Sequence, residues 1–254
     1  MKVNYLLIAI FCVCISNAQV KEEKKHKILK VTYTAYPMST YDTPPEDSNL
    51  YKNHNSIVAL ARSYDHTYTL YVDLKTNQSL YKLDTLIVNK PKGKEDFNYQ
   101  INHNLDYVIK DQSNNYFKHE KIFQRAFYSE GNLKDIEWEI TNEKKVISGL
   151  KCRKAVPKNK DFLLNVWFTE EVNVSAGPVN YFGLPGLVVW SEDFFWTTEI
   201  KGINYDDNYD LRSEFEGLKQ NFENNKSKKL IKEGVLIEKK NELVKSMIEQ
   251  MNKQ

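Results

Sequence analysis

The segment from His66 to Leu74 reads HTYTLYVDL, and its side chains alternate between two sets. In an extended chain one face would carry Tyr68, Leu70, Val72 and Leu74, and the opposite face would carry Thr67, Thr69, Tyr71 and Asp73. A period of two with one largely polar face is typical of an antiparallel strand that is buried on one side. Parallel strands that are buried on both sides would read as continuous apolar runs instead. This segment therefore predicts an antiparallel β protein.

The same period recurs elsewhere in the chain. Its aligned residues are Val31, Tyr33 and Ala35; Tyr81, Leu83, Thr85 and Ile87; Ile136, Trp138 and Ile140; Phe162, Leu164, Val166 and Phe168; and Phe194, Trp196, Thr198 and Ile200. Short polar turns at 75–78, 129–135 and 141–145 favour hairpins between neighbouring strands. We expect a mainly β fold, a curved antiparallel up-and-down sheet or half-barrel of roughly eight to eleven strands. A two-sheet β-sandwich is the alternative.

The period changes after Ile203. Apolar residues then recur at helical spacing in two groups, first Leu211, Phe215, Leu218 and Phe222, and later Leu243, Val244, Met247, Ile248 and Met251. We expect two C-terminal helices that pack on the open face of the sheet or on each other. Residues 226–254 hold eight lysines and four glutamates, so a helix that binds a membrane surface or a partner is the alternative.

The amino terminus has the pattern of an export signal. Residues 1–18 carry Lys2, an apolar run and a small-residue pattern that ends at Ala18, which predicts a signal peptide and a mature chain from Gln19. The apolar run is shorter than the roughly 20 residues that span a bilayer. We expect export to the periplasm or the exterior, a charged arm at 19–27, a β-rich domain at 28–203 and a helical segment at 204–254, with no transmembrane segment in the mature chain.

Charge and cysteine content exclude several classes of function. The chain has 36 Lys and Arg against 34 Asp and Glu, a balance that argues against a nucleic-acid partner. Removal of the signal peptide would leave Cys152 as the only cysteine, so no internal disulfide can form. Its strand-like context predicts a small, half-buried residue rather than a reactive thiol.

Glycine and proline concentrate in the segment Gly177–Trp190, GPVNYFGLPGLVVW. Pro185 and Gly186 occupy the two central positions of a four-residue turn, and this pair predicts a type II turn in which Gly186 has a positive φ. Residues that share this structural role are Gly177, Pro178, Gly183, Leu184, Pro185, Gly186 and Leu187. We expect a structural corner in which Leu184 and Leu187 anchor the core. No Lys-Ser/Thr pair follows, so the loop is not a phosphate-binding loop.

The segment GPVNYFGLPGLVV resembles the signature of the GLPGLI family, with Val188 where the family name has its last Ile. TLYVDLKTNQSLYK at 69–82, ISGLKCRKA at 147–155 and VWFTEEV at 166–172 are similar to further family segments. The resemblance covers roughly 30–203 and leaves the helical tail outside it. It implies a secreted, β-rich protein of the kind known mainly from Bacteroidetes. It implies no reaction, cofactor or catalytic residue.

Aromatic residues crowd around the same loop. The candidate lining of an apolar cavity consists of Trp167, Tyr181, Phe182, Trp190, Phe194 and Trp196. A curled sheet can enclose one small ligand, so these residues predict a site for a lipid-like molecule. The alternative is a large aromatic core beneath the helices.

Motifs for catalysis are missing from the sequence. It contains neither Gly-x-Ser-x-Gly nor His-Glu-x-x-His, and its five histidines stand apart in polar contexts, with His66 expected at the surface or a sheet edge. We therefore expect no catalytic residue, metal or cofactor. The leading interpretation is a non-catalytic envelope protein that binds a lipid-like ligand or an outer-membrane or other envelope protein. An interaction module that pairs an edge strand with a partner is the first alternative, and a hydrolase is the second.

Overall fold

A computed structural model of the protein describes residues 27–37, 64–88, 103–122, 125–193 and 196–251. Within these residues the strands are β1 (Ile28–Pro37), β2 (Tyr64–Asp73), β3 (Ser79–Val88), β4 (His103–Lys110), β5 (Asn115–Ile122), β6 (Arg125–Asn132), β7 (Trp138–Ile147), β8 (Leu150–Pro157), β9 (Leu164–Thr169), β10 (Leu187–Asp193), β11 (Trp196–Tyr205) and β12 (Leu230–Lys232). The helices are α1 (Leu211–Lys229) and α2 (Glu233–Met251). The segment interpreted as a signal peptide, 1–18, and most of the charged arm, 19–26, lie outside the described residues.

The described strands form one curved sheet in the order β12-β6-β5-β4-β3-β2-β1-β11-β10-β9-β8-β7. It consists of two up-and-down meanders, β1 to β6 and β7 to β11, which meet where β1 pairs antiparallel with β11. The predicted fold class, a mainly β curved sheet with C-terminal helices, is confirmed. The alternative of a two-sheet sandwich is wrong, because all the described strands belong to one hydrogen-bonded sheet.

One strand departs from the antiparallel prediction. β12 comes between the two helices in the sequence and pairs in parallel with β6, which makes the sheet mixed at this edge. It also brings the described strands to twelve, one more than the upper end of the predicted range. Its sequence, Leu-Ile-Lys, is too short to show any period.

The inner face of the sheet carries the largest core. Strand alternation places Leu29, Val31 and Tyr33 of β1 on this face, beside Tyr68 and Leu70 of β2, and all five are buried. The predicted face of β2 is thus buried up to Val72. Leu74 is 40% exposed, because β2 ends at Asp73 and Leu74 begins the following turn.

The outer face is also covered near α1, which corrects the prediction of a polar second face. Tyr71 of β2, Leu80 of β3 and Ile109 of β4 are buried there in one cluster with Leu211 and Phe215 of α1. The period of two did not predict this burial. The burial depends on a helix more than a hundred residues later in the chain. The side chains of Leu243, Val244, Met247, Ile248 and Met251, the predicted second helical stripe, lie outside the described residues.

Neither helix in the described part of the chain has a stretch that is long and apolar enough to cross a membrane.

Candidate ligand chamber under helix α2

A cavity lies between the inner face of the sheet and α2, and we call it the chamber. Its volume open to water-sized molecules is about 60 Å³. It is lined by Ala35, Tyr68, Tyr81, Leu105, Lys118, Glu120, Phe162, Leu163, Val179, Asn180, Tyr181, Asp193, Trp196, Thr198, Glu233, Ile237, Lys240 and Asn241. Strands, loops and α2 all contribute, so the chamber exists only in the assembled fold.

Only some of the aromatic residues that were predicted to line a cavity line the chamber. Tyr181 and Trp196 line the chamber and are buried. Phe182 is buried in the core, while Trp167 and Trp190 are half-buried and face each other across β9 and β10. None of these last three lines the chamber. Phe194 lies outside the described residues.

Two tyrosines that were predicted as strand residues, and not as part of the cavity lining, form an aromatic wall. The rings of Tyr68 and Tyr81 stack with centroids 4.8 Å apart and planes 4° apart. The Tyr68 hydroxyl donates to the Leu105 carbonyl at 3.0 Å, and burial raises the pKa of this hydroxyl well above its usual value. The hydroxyl of Tyr68 is therefore already engaged, and its ring is left for apolar contacts.

Trp196 forms a second part of this wall. The ring of His66 meets it edge-on, with centroids 4.8 Å apart. His66 is completely buried, so the expectation that it lies at the surface or an edge is wrong. The reason is its inward position on β2, where it pairs with Ala35 of β1.

Four charged residues form an ion cluster on the other side of the chamber: Lys118 and Glu120 of β5, and Glu233 and Lys240 of α2. Lys118 Nζ pairs with Glu120 Oε1 at 2.8 Å and with Glu233 Oε1, and Lys240 Nζ pairs with Glu120 Oε2 at 2.6 Å. The side chains of Lys118, Glu120 and Glu233 are 2%, 1% and 3% exposed. Buried charges are rare unless they are paired, so this cluster is the most unusual feature of the chamber.

Periodicity explains how each element presents its two charges. Lys118 and Glu120 are two positions apart on a strand and share its inner face, whereas Glu233 and Lys240 are two helical turns apart on one side of α2. This cluster was not predicted from the sequence. Two patterns in the sequence could have indicated the cluster. One is Lys-x-Glu at inward positions of a strand, and the other is a Glu and a Lys seven residues apart on a helix. Strands and helices at the protein surface carry the same patterns, so neither pattern is specific.

The cluster fixes the protonation of Lys118. Burial disfavours the charged amine, but Glu120 and Glu233 outweigh that effect and hold the pKa of Lys118 above its ordinary value. Ser129 of β6 lies opposite Lys118 in the sheet register. A serine activated by lysine needs a neutral amine, so this pair does not have the electrostatics of a nucleophile and its base.

Glu233 has one oxygen with no partner. Its Oε1 accepts from Lys118, while its Oε2 is buried and has no hydrogen-bond partner among the described residues. An unmatched buried carboxylate oxygen costs free energy that a bound donor would recover.

The loop from Gly177 to Leu187 forms one wall of the chamber through Val179, Asn180 and Tyr181. The predicted type II turn at Pro185 and Gly186 is wrong, because Gly186 does not have a positive φ. The positive φ angles of this loop belong to Val179, at 56°, and Gly183, at 95°.

Close approach, rather than φ, explains two of the glycines. A Cβ at Gly186 would lie 2.1 Å from the Thr169 carbonyl oxygen, and one at Gly177 would lie 2.4 Å from the Tyr181 carbonyl oxygen. The remaining positions of the motif follow a simple pattern of burial. Pro178, Leu184 and Leu187 are buried, and Pro185 is exposed.

Cys152 lies on β8, where it is buried and unpaired with another cysteine. Burial raises the pKa of its thiol, which disfavours the reactive thiolate. Its predicted position on a strand is confirmed, but the side chain is buried rather than half-buried. Within the described ranges, no three His, Cys, Asp or Glu side chains group closely enough to hold a metal ion.

Comparison with known proteins gives one short family match. The family described as "Protein of unknown function (Porph_ging)" matches residues 157–190, which include β9, the loop and the start of β10. No curated protein matches the chain.

Several solved structures are similar in part. PNGF-II in its P21 crystal form is 16% identical, with a TM-score of 0.44 over 74% of this chain and 30% of PNGF-II. The C2 crystal form of PNGF-II is also 16% identical, with a TM-score of 0.44 over 85% of this chain and 32% of PNGF-II. An uncharacterized conserved protein from Thermus thermophilus is 4% identical, with a TM-score of 0.36 over 82% of this chain and 91% of its own. The chain thus spans about a third of PNGF-II, and similarities this weak do not bear on function.

Proposed function

We propose that this protein is an exported, non-catalytic binding protein of the cell envelope, related to the GLPGLI proteins, and that the chamber is its binding site. The observation that carries the proposal is the composition of the chamber wall. It combines stacked aromatic faces with a buried ion cluster that contains one unmatched carboxylate oxygen. Ligand sites typically combine apolar walls with a few convergent polar groups in this way.

The charges of the site support binding rather than catalysis. Lys118, the most deeply buried cation of the chamber, is held in its protonated form by two carboxylates. A general base or nucleophile would need the opposite shift of its pKa. The cluster instead suits a fixed electrostatic lining.

The volume of the chamber limits what it can hold as it stands. Pockets for drug-sized ligands measure roughly 300–1,000 Å³, whereas the chamber offers about 60 Å³. A lipid-like ligand, as the aromatic sequence pattern predicted, would enter only if α2 moved outward. A much smaller molecule would fit with little rearrangement.

Such movement would have to separate the ion pairs that join α2 to β5. The apolar residue of the helix that lines the chamber is Ile237, which is half-buried. The other described contacts of the helix near the chamber are polar, including the pairs of Glu233 and Lys240 and a hydrogen bond from Asn241 Nδ2 to the Asp161 carbonyl at 3.0 Å. Water could replace these hydrogen bonds if α2 moved, but separation of the buried ion pairs would have to be offset by the ligand.

Native mass spectrometry of protein purified from its own cell envelope tests the proposal. We expect a chain that starts at Gln19 and carries a bound small molecule. Ala35→Met should abolish co-purification, because the larger side chain fills the chamber, whereas Ala126→Met on β6, which does not line the chamber, should not. A bare chain in every preparation, with identical results for both variants, would contradict the proposal.

A second candidate function rests on β7, which is at one edge of the sheet. Its side chains are mostly exposed, and Val146 is 65% exposed. An edge strand with an apolar side chain can pair with an extended segment of a partner. A stoichiometric protein in the same mass spectra, lost in the variant Val146→Pro, would favour this function over the chamber.

A further inference from the structure

The chamber has few hydrogen-bond donors to spare. The ammonium groups of Lys118 and Lys240 are engaged by the carboxylates of the ion cluster. The Tyr181 hydroxyl donates to Asp193 Oδ2 at 2.5 Å. The Tyr68 hydroxyl is likewise used by a backbone carbonyl. These donors are therefore already engaged within the protein.

A buried acceptor without a partner belongs to a residue of the chamber lining. Glu233 Oε2 is buried, lies on a chamber-lining residue and has no partner among the described groups. The Glu233 side chain is 3% exposed, so bulk water does not solvate it. A group that satisfies this oxygen must be a hydrogen-bond donor.

The charge of the lining favours a positive donor over a neutral one. Its described charged residues are two cations and three carboxylates: Lys118 and Lys240 against Glu120, Asp193 and Glu233. By formal charge, the lining therefore has one negative charge in excess. In a buried site an opposite charge on the ligand is worth more than in water, because the surroundings screen it weakly.

The aromatic wall suits the same ligand. Tyr68, Tyr81 and Trp196 line the chamber with ring systems, and ring faces attract organic cations. A cation with a short apolar body would use the carboxylate and the rings together.

We propose that the chamber binds a small organic ammonium ion, in which a protonated amine donates to Glu233 Oε2 and a short apolar body lies against Tyr68, Tyr81 and Trp196. This inference rests on the proposed function of the chamber as a binding site. The small volume, about 60 Å³, favours an amine with only a few carbon atoms.

Amide NMR titration of the exported chain with three probes of similar size tests the charge and the donor: propylammonium, 1-propanol and propionate. We expect propylammonium to shift, saturably, the amides of chamber residues such as Tyr68, Trp196 and Glu233. It should bind at least about tenfold more tightly than either other probe, because hydrogen bonds to charged groups are the stronger ones.

Two variants of α2 locate the bound amine. Glu233→Gln keeps the shape of the side chain but removes its charge, and should weaken propylammonium binding by about tenfold or more. Glu238→Gln changes an exposed glutamate of the same helix and should leave binding unchanged. Equal binding in both variants would place the amine elsewhere and overturn the inference.

The other outcomes separate this inference from the proposed function. If 1-propanol or propionate binds in the chamber as tightly as propylammonium, the assignment of an ammonium ligand is wrong but the chamber remains a binding site. If no probe shifts chamber amides, the ammonium assignment is also overturned. The proposed function itself fails only if, in addition, Ala35→Met and wild-type protein both purify without a bound molecule.

Discussion

At the scale of single residues, the glycines of the loop serve two separate purposes. Gly183 has a φ of 95°, a conformation that side chains with a Cβ rarely adopt. Gly186 has an ordinary φ but lets the loop approach the end of β9, where the Thr169 carbonyl leaves no room for a Cβ. The sequence analysis assigned the positive φ to the wrong glycine, because Pro-Gly is the usual pair of a type II turn.

Gly186→Ala should therefore destabilise the protein through a clash rather than through φ. The added methyl would have to displace the backbone at Thr169, and overpacking of this kind costs about 1–3 kcal/mol. Urea unfolding measures the change. The matched control is Gly217→Ala in α1, where a Cβ meets nothing within 4 Å and the helix should gain up to about 1 kcal/mol. Equal effects of the two substitutions would contradict the close-approach explanation.

Lys110 is the second residue with a testable energetic role. It is buried, its Nζ donates to the Asn77 carbonyl at 2.7 Å and lies 5.6 Å from the centre of the Phe182 ring. Burial lowers the pKa of Lys110 to about 8, although Asp111 opposes the shift. Between about pH 8 and the ordinary lysine pKa of about 10.4, the unfolded chain binds a proton that the folded chain releases. The contribution of Lys110 to stability therefore rises with pH across this window.

Lys110→Met should remove that contribution. The free energy of unfolding of the wild type, minus that of the variant, should increase from about pH 8 to about pH 10. Buried tyrosines also titrate in alkali, but they do so in both proteins and cancel in the difference. Lys75→Met, at an exposed position, should give a flat difference over the same range. A flat difference for Lys110→Met would show that its pKa is not depressed.

At the scale of elements, the ion cluster couples β5 to α2. Lys118 lies between Glu120 of its own strand and Glu233 of the helix, so its removal leaves two buried carboxylates with fewer cations. Buried pairs contribute little net stability compared with apolar residues, but breaking one of them leaves an uncompensated charge. The cluster therefore specifies where α2 docks more than it stabilises the fold.

Lys118→Met should destabilise the protein by about 3–5 kcal/mol. The double variant Lys118→Met with Glu233→Leu should recover much of this loss, because the remaining charges, Glu120 and Lys240, still pair with each other. Chemical unfolding of the two single variants and the double variant gives the coupling energy. Additive effects would mean that the pair is not coupled in the folded protein.

Local sequence patterns predicted some features of the strands and helices but not others. The alternation around Tyr68 and Leu70 identified β2 and its buried face, because register along a strand is a local property. The burial of Leu80 on the other face and the ion cluster depended on where α1 and α2 pack, which no local period records. Tyr181 and Trp196 were found as chamber residues because they are close to each other in sequence. Tyr68, Lys118 and Glu233 were missed because they are far apart.

At the scale of the whole molecule, the pairing of β1 with β11 joins the two meanders. Leu29 pairs with Tyr205, so the first and the eleventh of the described strands are neighbours. Val31 lies on β1 where the two meanders meet, and it is completely buried between Leu70 of β2 and Ile203 of β11. A substitution that disrupts the pairing of β1 with β11 should therefore destabilise both meanders.

Val31→Asp should therefore unfold the whole sheet, because it buries an unpaired charge at a cost of several kcal/mol. Hydrogen exchange measured by mass spectrometry should show loss of protection in β2–β6 and in β8–β10 together. Val146→Asp, at an exposed position of β7, should change stability by no more than about 0.5 kcal/mol. Loss of protection confined to one meander would show that the two meanders fold independently.

The position of β12 has a consequence for assembly. Three residues of the tail cover the edge of β6, so the sheet ends there in a very short strand, while the ten-residue strand β7 ends it on the other side. Growth of a fibre requires two complementary edges, one at each end of every molecule. Of the two edges that the described strands form, only β7 is long enough to recruit another chain. Edge-to-edge association of this protein would therefore stop at a symmetrical dimer, and deletion of β12 would be the change that turns a dimer into a polymer.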